Sequence, residues 1–307
     1  SARNLFLKGI PSHPCVRQST FAMSDPRDSW IIDPEGIGLI EDLGIRTLED
    51  GWNPGLPGKI INDRGDRQVL ELVAPGTGQV VYLKRWRFPA SSPFRLLPGH
   101  RTLRYRAHSE WDNLRVLREC GIRVPAPYLL AERMSLPGPE ASLLLIEGLT
   151  GYTHAAEWLD RHPADRGPLC QSIACLFRRL HDHHLFYRSP GLKHFYVAGE
   201  GLAAPLALID VPRLDRPGRA SLFFERMLSS IDIPGPLRDL SKVLLTLRYE
   251  IRANEKETEE FWKGYFQAED LTPEMMKLKA AVDLNAQQRL RSRTARLARK
   301  TRSQAVA

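Results

Sequence analysis

Strand-like patterning dominates residues 58–146 of this chain, and helix-like patterning dominates after Gly148. That order constrains the fold more than any single motif, because segregated strands and helices pack as an α+β structure rather than as alternating layers. Residues 58–61 read as a first strand, and 62–66 as a turn by composition. Residues 68–74 alternate apolar and polar side chains, Pro75-Gly76-Thr77-Gly78 turns the chain, and 79–86 runs back as a β-branched, aromatic strand. A helix follows at 106–120, with Trp111, Leu114, Val116 and Leu117 on one side and Gly121 where a C-cap belongs. Residues 124–130 and 142–146 read as two more strands, the second continuous enough (Leu143-Leu144-Leu145-Ile146) to be centrally buried.

Past Gly148 the strongest element is an amphipathic helix at 168–184 with Ile173, Leu176, Phe177 and Leu180 inward. Short strands near 195–197 and 206–209 bracket a loop, and helical patterns fill 220–230, 236–252, 257–267 and 273–302. Residues 1 to about 30 lack periodicity and read as an extended arm. Short apolar clusters between Trp30 and Glu49 suggest small helices at 36–43 and 45–48. The expected organisation is an arm with short helices over 1–50 and a strand-rich lobe with one main helix over 51–148. A mostly helical lobe over 149–275 and a basic helix or tail over 276–307 follow, with a hinge near 147–152.

The net charge of +8 favours an anionic partner such as a nucleotide, a phosphorylated glycolipid or a membrane surface. Much of it lies at the end of the chain, where Arg289, Arg291, Arg293, Arg296, Arg299, Lys300 and Arg302 follow Asp283 without a further acidic residue. Such a face is either solvated or docked on anionic lipid; nucleic acid has less support, since no aromatic side chain is interleaved. Cys15, Cys120, Cys170 and Cys175 show no metal or redox spacing, no apolar run approaches a membrane span, and no charged-then-apolar start marks a secretory signal. The expectation is a cytoplasmic protein, peripheral at most on the inner face of the membrane.

Phosphoryl transfer from a nucleotide needs positive charge on the phosphates, a carboxylate for magnesium, and a group that orients the acceptor hydroxyl. Candidates for each occur in the order a kinase-like layout requires. Lys84 lies near the end of the strand 79–86, in Val80-Val81-Tyr82-Leu83-Lys84-Arg85-Trp86, and Glu110, early in the next helix, is placed to pair with it. Each alone is weak: strand-end lysines are usually solvated, and first-turn glutamates are favoured by the helix dipole. Glu147-Gly148-Leu149 follows the buried strand where adenine would be received. Downstream, Tyr187-Arg188-Ser189 occupies the place of a His-Arg-Asp catalytic loop, His194 stands five residues later where a metal-binding asparagine is usual, and Leu208-Ile209-Asp210 ends a strand in a carboxylate. His181, His183 and His184 straddle a helix end without a Cys or Glu at ligand spacing, which argues against zinc.

These residues, with Ser109-Glu110-Trp111-Asp112-Asn113-Leu114, Gly121-Ile122, Pro125, Leu180-His181-Asp182 and His194-Phe195, resemble the lipopolysaccharide core kinases, which phosphorylate Kdo or heptose residues of the lipid A–linked core. The resemblance covers about residues 55–267. It implies a protein-kinase-like two-lobed fold, ATP and Mg2+ as cofactors, and a sugar hydroxyl of a glycolipid as acceptor. It further implies that Lys84 binds the phosphates, Glu110 positions Lys84, His194 and Asp210 hold magnesium, Glu147 and Leu149 lie at the adenine, and Arg188 belongs to the catalytic loop.

Two departures stand out. Ser189 replaces the aspartate that orients the acceptor hydroxyl, and a serine is no base near neutral pH without help. The loop that would cover the phosphates holds Gly65 alone, although Arg64 and Arg67 supply charge there. The sequence therefore supports a slow phosphotransferase, with a pseudokinase that binds or regulates without transferring as the alternative.

Overall fold

The computed structural model describes residues 25–88, 106–135, 138–188, 190–199, 201–202, 206–216 and 235–306. The chain divides into two units: one up to Trp111 together with Ala126–Gly148, the other Asp112–Pro125 with Leu149 onward.

The first unit is built on a six-stranded antiparallel sheet. Its strands are β1 (Asp28–Ile32), β2 (Gly58–Asp63), β3 (Arg67–Val73), β4 (Val80–Arg87), β5 (Pro127–Ser135) and β6 (Gly138–Glu147), in the order β1-β5-β6-β4-β3-β2. Side chains alternate across a strand, and here the alternation separates core from chemistry. Val81 and Leu83 of β4, with Leu143 and Leu145 of β6 and Leu129 of β5, join Leu39 and Ile40 of helix α1 (Ile37–Asp42) in one buried cluster. Tyr82, Lys84 and Trp86 must then occupy the opposite face, Lys84 in register with Leu144.

Two expectations for the start of this unit are corrected. Residues 28–32, read partly as the end of the arm and partly as a short apolar cluster, form β1, which is pinned to β5 by Arg133, donating to both oxygens of the buried Asp28 at 2.7 and 2.9 Å and to Glu49 at 2.6 Å. These two acids hold the Arg133 guanidinium pKa well above its ordinary value. No helix forms at 45–48. The Asp50 carboxylate accepts from the Arg46 and Thr47 amides at 2.9 and 2.7 Å, and that turn chemistry leads into a short 3-10 turn at Asp50–Trp52. Residues 1–24 of the arm expected over 1 to about 30, and the helix expected at 220–230, lie outside the described residues.

Helix α2 (Arg106–Glu119) begins in the first unit and ends in the second. The second unit adds α3 (Ala155–Arg161), α4 (Arg166–Asp182), α5 (Gly235–Tyr249), α6 (Glu255–Phe266) and α7 (Pro273–Val306). A small sheet has the order β10 (Ala207–Leu208), β9 (Phe195–Ala198), β7 (Tyr152–His154), and β11 (Leu214–Asp215) pairs with β8 (Phe186–Tyr187). Helices α4 and α6 pack closely because Gly264 lets the backbones approach. A Cβ there would fall 2.8 Å from the Gln171 carbonyl oxygen. Asn254 and Glu257 close a reciprocal capping box at the start of α6.

Candidate active site

In the first unit, Lys84 and Glu110 meet. The Lys84 Nζ donates to Glu110 Oε1 at 2.6 Å, with the two side chains 9% and 2% exposed. Strand β4 supplies the lysine on the face opposite the apolar cluster, and the first turns of α2 supply the acid. A pair so far out of water gains little net stability, because desolvation offsets most of the attraction. It does hold an ammonium in one position.

Elsewhere in this unit the expected residues occupy simpler settings. Arg64 is exposed in the β2–β3 hairpin, whose turn is held by Asp63 accepting from the Gly65 amide at 2.8 Å, with Gly65 at φ +77°. The Glu147 side chain accepts from the Ala126 amide at 2.9 Å, while the backbone amides of Glu147 and Gly148 donate to Ala126 and Val80 carbonyls. Those two amides are committed to the sheet. The Leu149 carbonyl accepts from the Tyr152 amide at 3.2 Å.

In the second unit, His194 and Asp210 are brought together. His194 Nδ1 lies 3.9 Å from Asp210 Oδ2 and 3.3 Å from the Ile209 carbonyl. A carbonyl only accepts, so Nδ1 carries the proton. Asp210 sits at φ +54°, a left-handed conformation that costs a residue with a Cβ about 1 kcal/mol or more. Such a backbone persists where its surroundings over-determine it, and here three successive carbonyls are pinned. Ile209 accepts from His194, Asp210 from the Tyr187 hydroxyl at 3.1 Å, and Val211 from the fully buried Asn113 amide at 2.7 Å. Asn113 is a residue that sequence reasoning quoted within a motif without giving it a task; its spacing, one turn after Glu110 on α2, was the available signal.

Tyr187 and Arg188, the residues expected in the catalytic loop, are anchored as well. Arg188 donates through Nε to Asp215 Oδ2 at 2.8 Å, its own carbonyl accepts from Lys242 Nζ, and Tyr187 packs edge-on against the His194 ring. Ser189 lies outside the described residues.

Among the described residues no group of three or more His, Cys, Asp or Glu is disposed to hold a metal ion. A single carboxylate still fits magnesium, which keeps several waters and takes phosphate oxygens alongside one or two protein oxygens. Asp210 fits that role by donor type. An imidazole nitrogen is a softer donor than magnesium prefers. No described helix is long and apolar enough to cross a membrane.

No curated protein sequence matches the chain. Its fold is shared by 1193 solved chains, so likeness to one of them identifies architecture rather than chemistry. One of them is titled WaaP in complex with acyl carrier protein. It matches with a TM-score of 0.59 and 17% identity, covering 84% of this chain and 98% of that one. The architecture is accordingly the α+β, protein-kinase-like one expected. The sequence profile of the lipopolysaccharide kinase (Kdo/WaaP) family matches residues 99–265, more than half of the chain, and this span contains Glu110, Asn113, Arg188, His194 and Asp210. The chain belongs to the lipopolysaccharide kinase (Kdo/WaaP) family.

Proposed function

We propose that the chain is an ATP-dependent phosphotransferase that phosphorylates a sugar hydroxyl of an envelope glycolipid. The observation that carries this is the buried Lys84–Glu110 pair. Isolated burial of an ion pair is costly, and an ammonium held for nucleotide phosphates explains why it is kept. Lys84 neutralises phosphate charge, Glu110 keeps its ammonium in place, and the exposed Arg64 adds charge at the hairpin turn. The backbone around Glu147 and Leu149 receives the adenine. Asp210, with His194 beside it, holds magnesium, which when bound screens the charge of the transferring phosphoryl group.

Arg188, held by Asp215, precedes Ser189, which in sequence replaces the usual base. A general base contributes about 10²- to 10⁴-fold, and phosphoryl transfer depends chiefly on positioning and charge stabilisation. Turnover that is slow by about that factor follows. The absence of an aspartate at Ser189 also favours a second reading, a pseudokinase that binds nucleotide and transfers nothing. The run of basic residues after Asp283, with no acidic residue following in sequence, supports contact with an anionic membrane surface on the cytoplasmic side.

Thermal-shift titration with ATP and magnesium tests the nucleotide site: stabilisation that is metal-dependent in the wild type and metal-independent in Asp210→Ala is expected. An absence of any ATP response overturns both readings. A response without transfer to a core glycolipid selects the pseudokinase.

A further inference from the structure

Just before Glu110, the first turns of α2 make a second contact with the sheet that the proposed chemistry does not use. His108 Nδ1 lies 3.2 Å from Glu132 Oε2 on β5. Glu132 stands opposite Ser142 of β6, and Ser142 opposite Trp86 of β4, so the Glu132 side chain is on the Lys84 face of the sheet. Glu132 is buried, and its other carboxylate oxygen accepts from the buried Ser142 hydroxyl at 3.4 Å.

A carboxylate only accepts, so His108 Nδ1 carries a proton. The His108 side chain is 41% exposed and exchanges protons with water. A carboxylate held out of water is costly unless a cation completes it. Ser142 supplies no charge; the imidazolium form of His108 does. Other charged groups on this face of the sheet are engaged: Lys84 of β4 by Glu110, Glu71 of β3 by the Tyr82 hydroxyl, and Arg67 of β3 over the Trp86 ring. On β6, Glu140 accepts from Arg27 at 3.3 Å, and α2 itself adds Asp112 one turn beyond His108.

We propose that His108 and Glu132 are positioning residues. With His108 protonated, they fasten the start of α2 to the sheet and keep Glu110 in reach of Lys84, so that nucleotide affinity depends on pH. The consequence for nucleotide rests on the phosphotransferase reading; the link between helix and sheet does not. A neighbouring negative charge favours the protonated imidazole. The contribution is therefore full below about pH 6.5, the ordinary imidazole value, and is lost as pH rises above it.

The test uses the full chain and two readouts, each at about pH 6 and about pH 8.5, which bracket imidazole titration. In urea without nucleotide, wild type should be more stable than His108→Gln at the lower pH, with the difference gone at the higher one. In calorimetric titration with magnesium ATP, His108→Gln should bind about tenfold more weakly than wild type at the lower pH and equally at the higher. Comparing variant with wild type cancels the protonation of ATP itself. His108→Lys, a cation at both values, should keep the advantage over His108→Gln at the higher pH. Should His108→Gln fail to fold, Glu132→Gln, which keeps the side-chain shape, decides by the same comparison. A stability difference that is the same at both values overturns the proposal. So does a pH-dependent stability difference with unchanged ATP affinity, since the contact would then serve the fold alone. A wild type that binds no ATP while the stability difference follows pH supports the link and overturns the nucleotide reading instead.

Discussion

Asn113, fully buried, donates its side-chain amide to the Val211 carbonyl at 2.7 Å, one turn along α2 from the Glu110 that holds Lys84. The backbone beside Asp210 is therefore held by a side chain of α2. Replacing Asn113 by Leu leaves that carbonyl buried without its donor, at a cost of about 1–3 kcal/mol. Urea denaturation should show the loss, and magnesium-dependent stabilisation by ATP should weaken with it. A variant as stable and as metal-responsive as the wild type would refute the assignment.

Asp210 offers a conformational test. Its φ of +54° suits glycine better than any residue with a Cβ. Asp210→Gly should be more stable than Asp210→Ala by about 1 kcal/mol, while both lose the response to magnesium. Equal stabilities would mean that the left-handed backbone is not retained in the variants.

For the buried pair, direction and additivity both matter. Glu110→Ala removes the carboxylate to which the buried Lys84 donates and should cost about 3–5 kcal/mol. The double variant Lys84→Met with Glu110→Leu should recover most of that stability and bind no ATP. A double variant that is as unstable as the single one would indicate that the pair's task is to hold the fold.

Gly264→Ala pushes a methyl against the Gln171 carbonyl and Cγ, each 2.8 Å from the position a Cβ would take. Helices α4 and α6 would have to separate, with a cost of about 1–3 kcal/mol. Denaturant midpoints measure it, and an unchanged midpoint would contradict the close packing described.

Lys242 gives a pH signature. Its folded pKa of about 8 lies below the ordinary 10.5, so between these values the unfolded chain holds the extra proton. Stability relative to Lys242→Met should therefore rise as pH goes from about 8 to 10.5. The groups acting on the ammonium are Arg289, Asp239, Arg238 and Arg188. A difference that stays flat or falls over that window would show that the charges do not press on Lys242 as described.

Much of this fold was legible because its period is. Strands β2, β3 and β4 alternate or run apolar between turns rich in glycine and proline, and α4 shows its apolar stripe plainly. Strand β1 was not legible, since Asp28-Ser29-Trp30-Ile31-Ile32 is short and its buried acid is explained only by Arg133, about a hundred residues away. The missing helix at 45–48 has a similar cause: the Asp50 side chain outcompetes helical hydrogen bonding there. Of the candidate residues, Lys84 was read near a strand end and lies within β4, Asp210 lies two residues past β10, and Glu110 was read from its helix. The brace from Asn113 and the cations of α5 and α7 depend on tertiary neighbours that no spacing announces.

Transfer of the γ-phosphate of labelled ATP to a lipopolysaccharide core acceptor, in wild type and Asp210→Ala, tests the central claim most directly. Slow, magnesium-dependent labelling of the acceptor that disappears in Asp210→Ala is predicted. Labelling at background in the wild type, with acceptor and magnesium present, would contradict it.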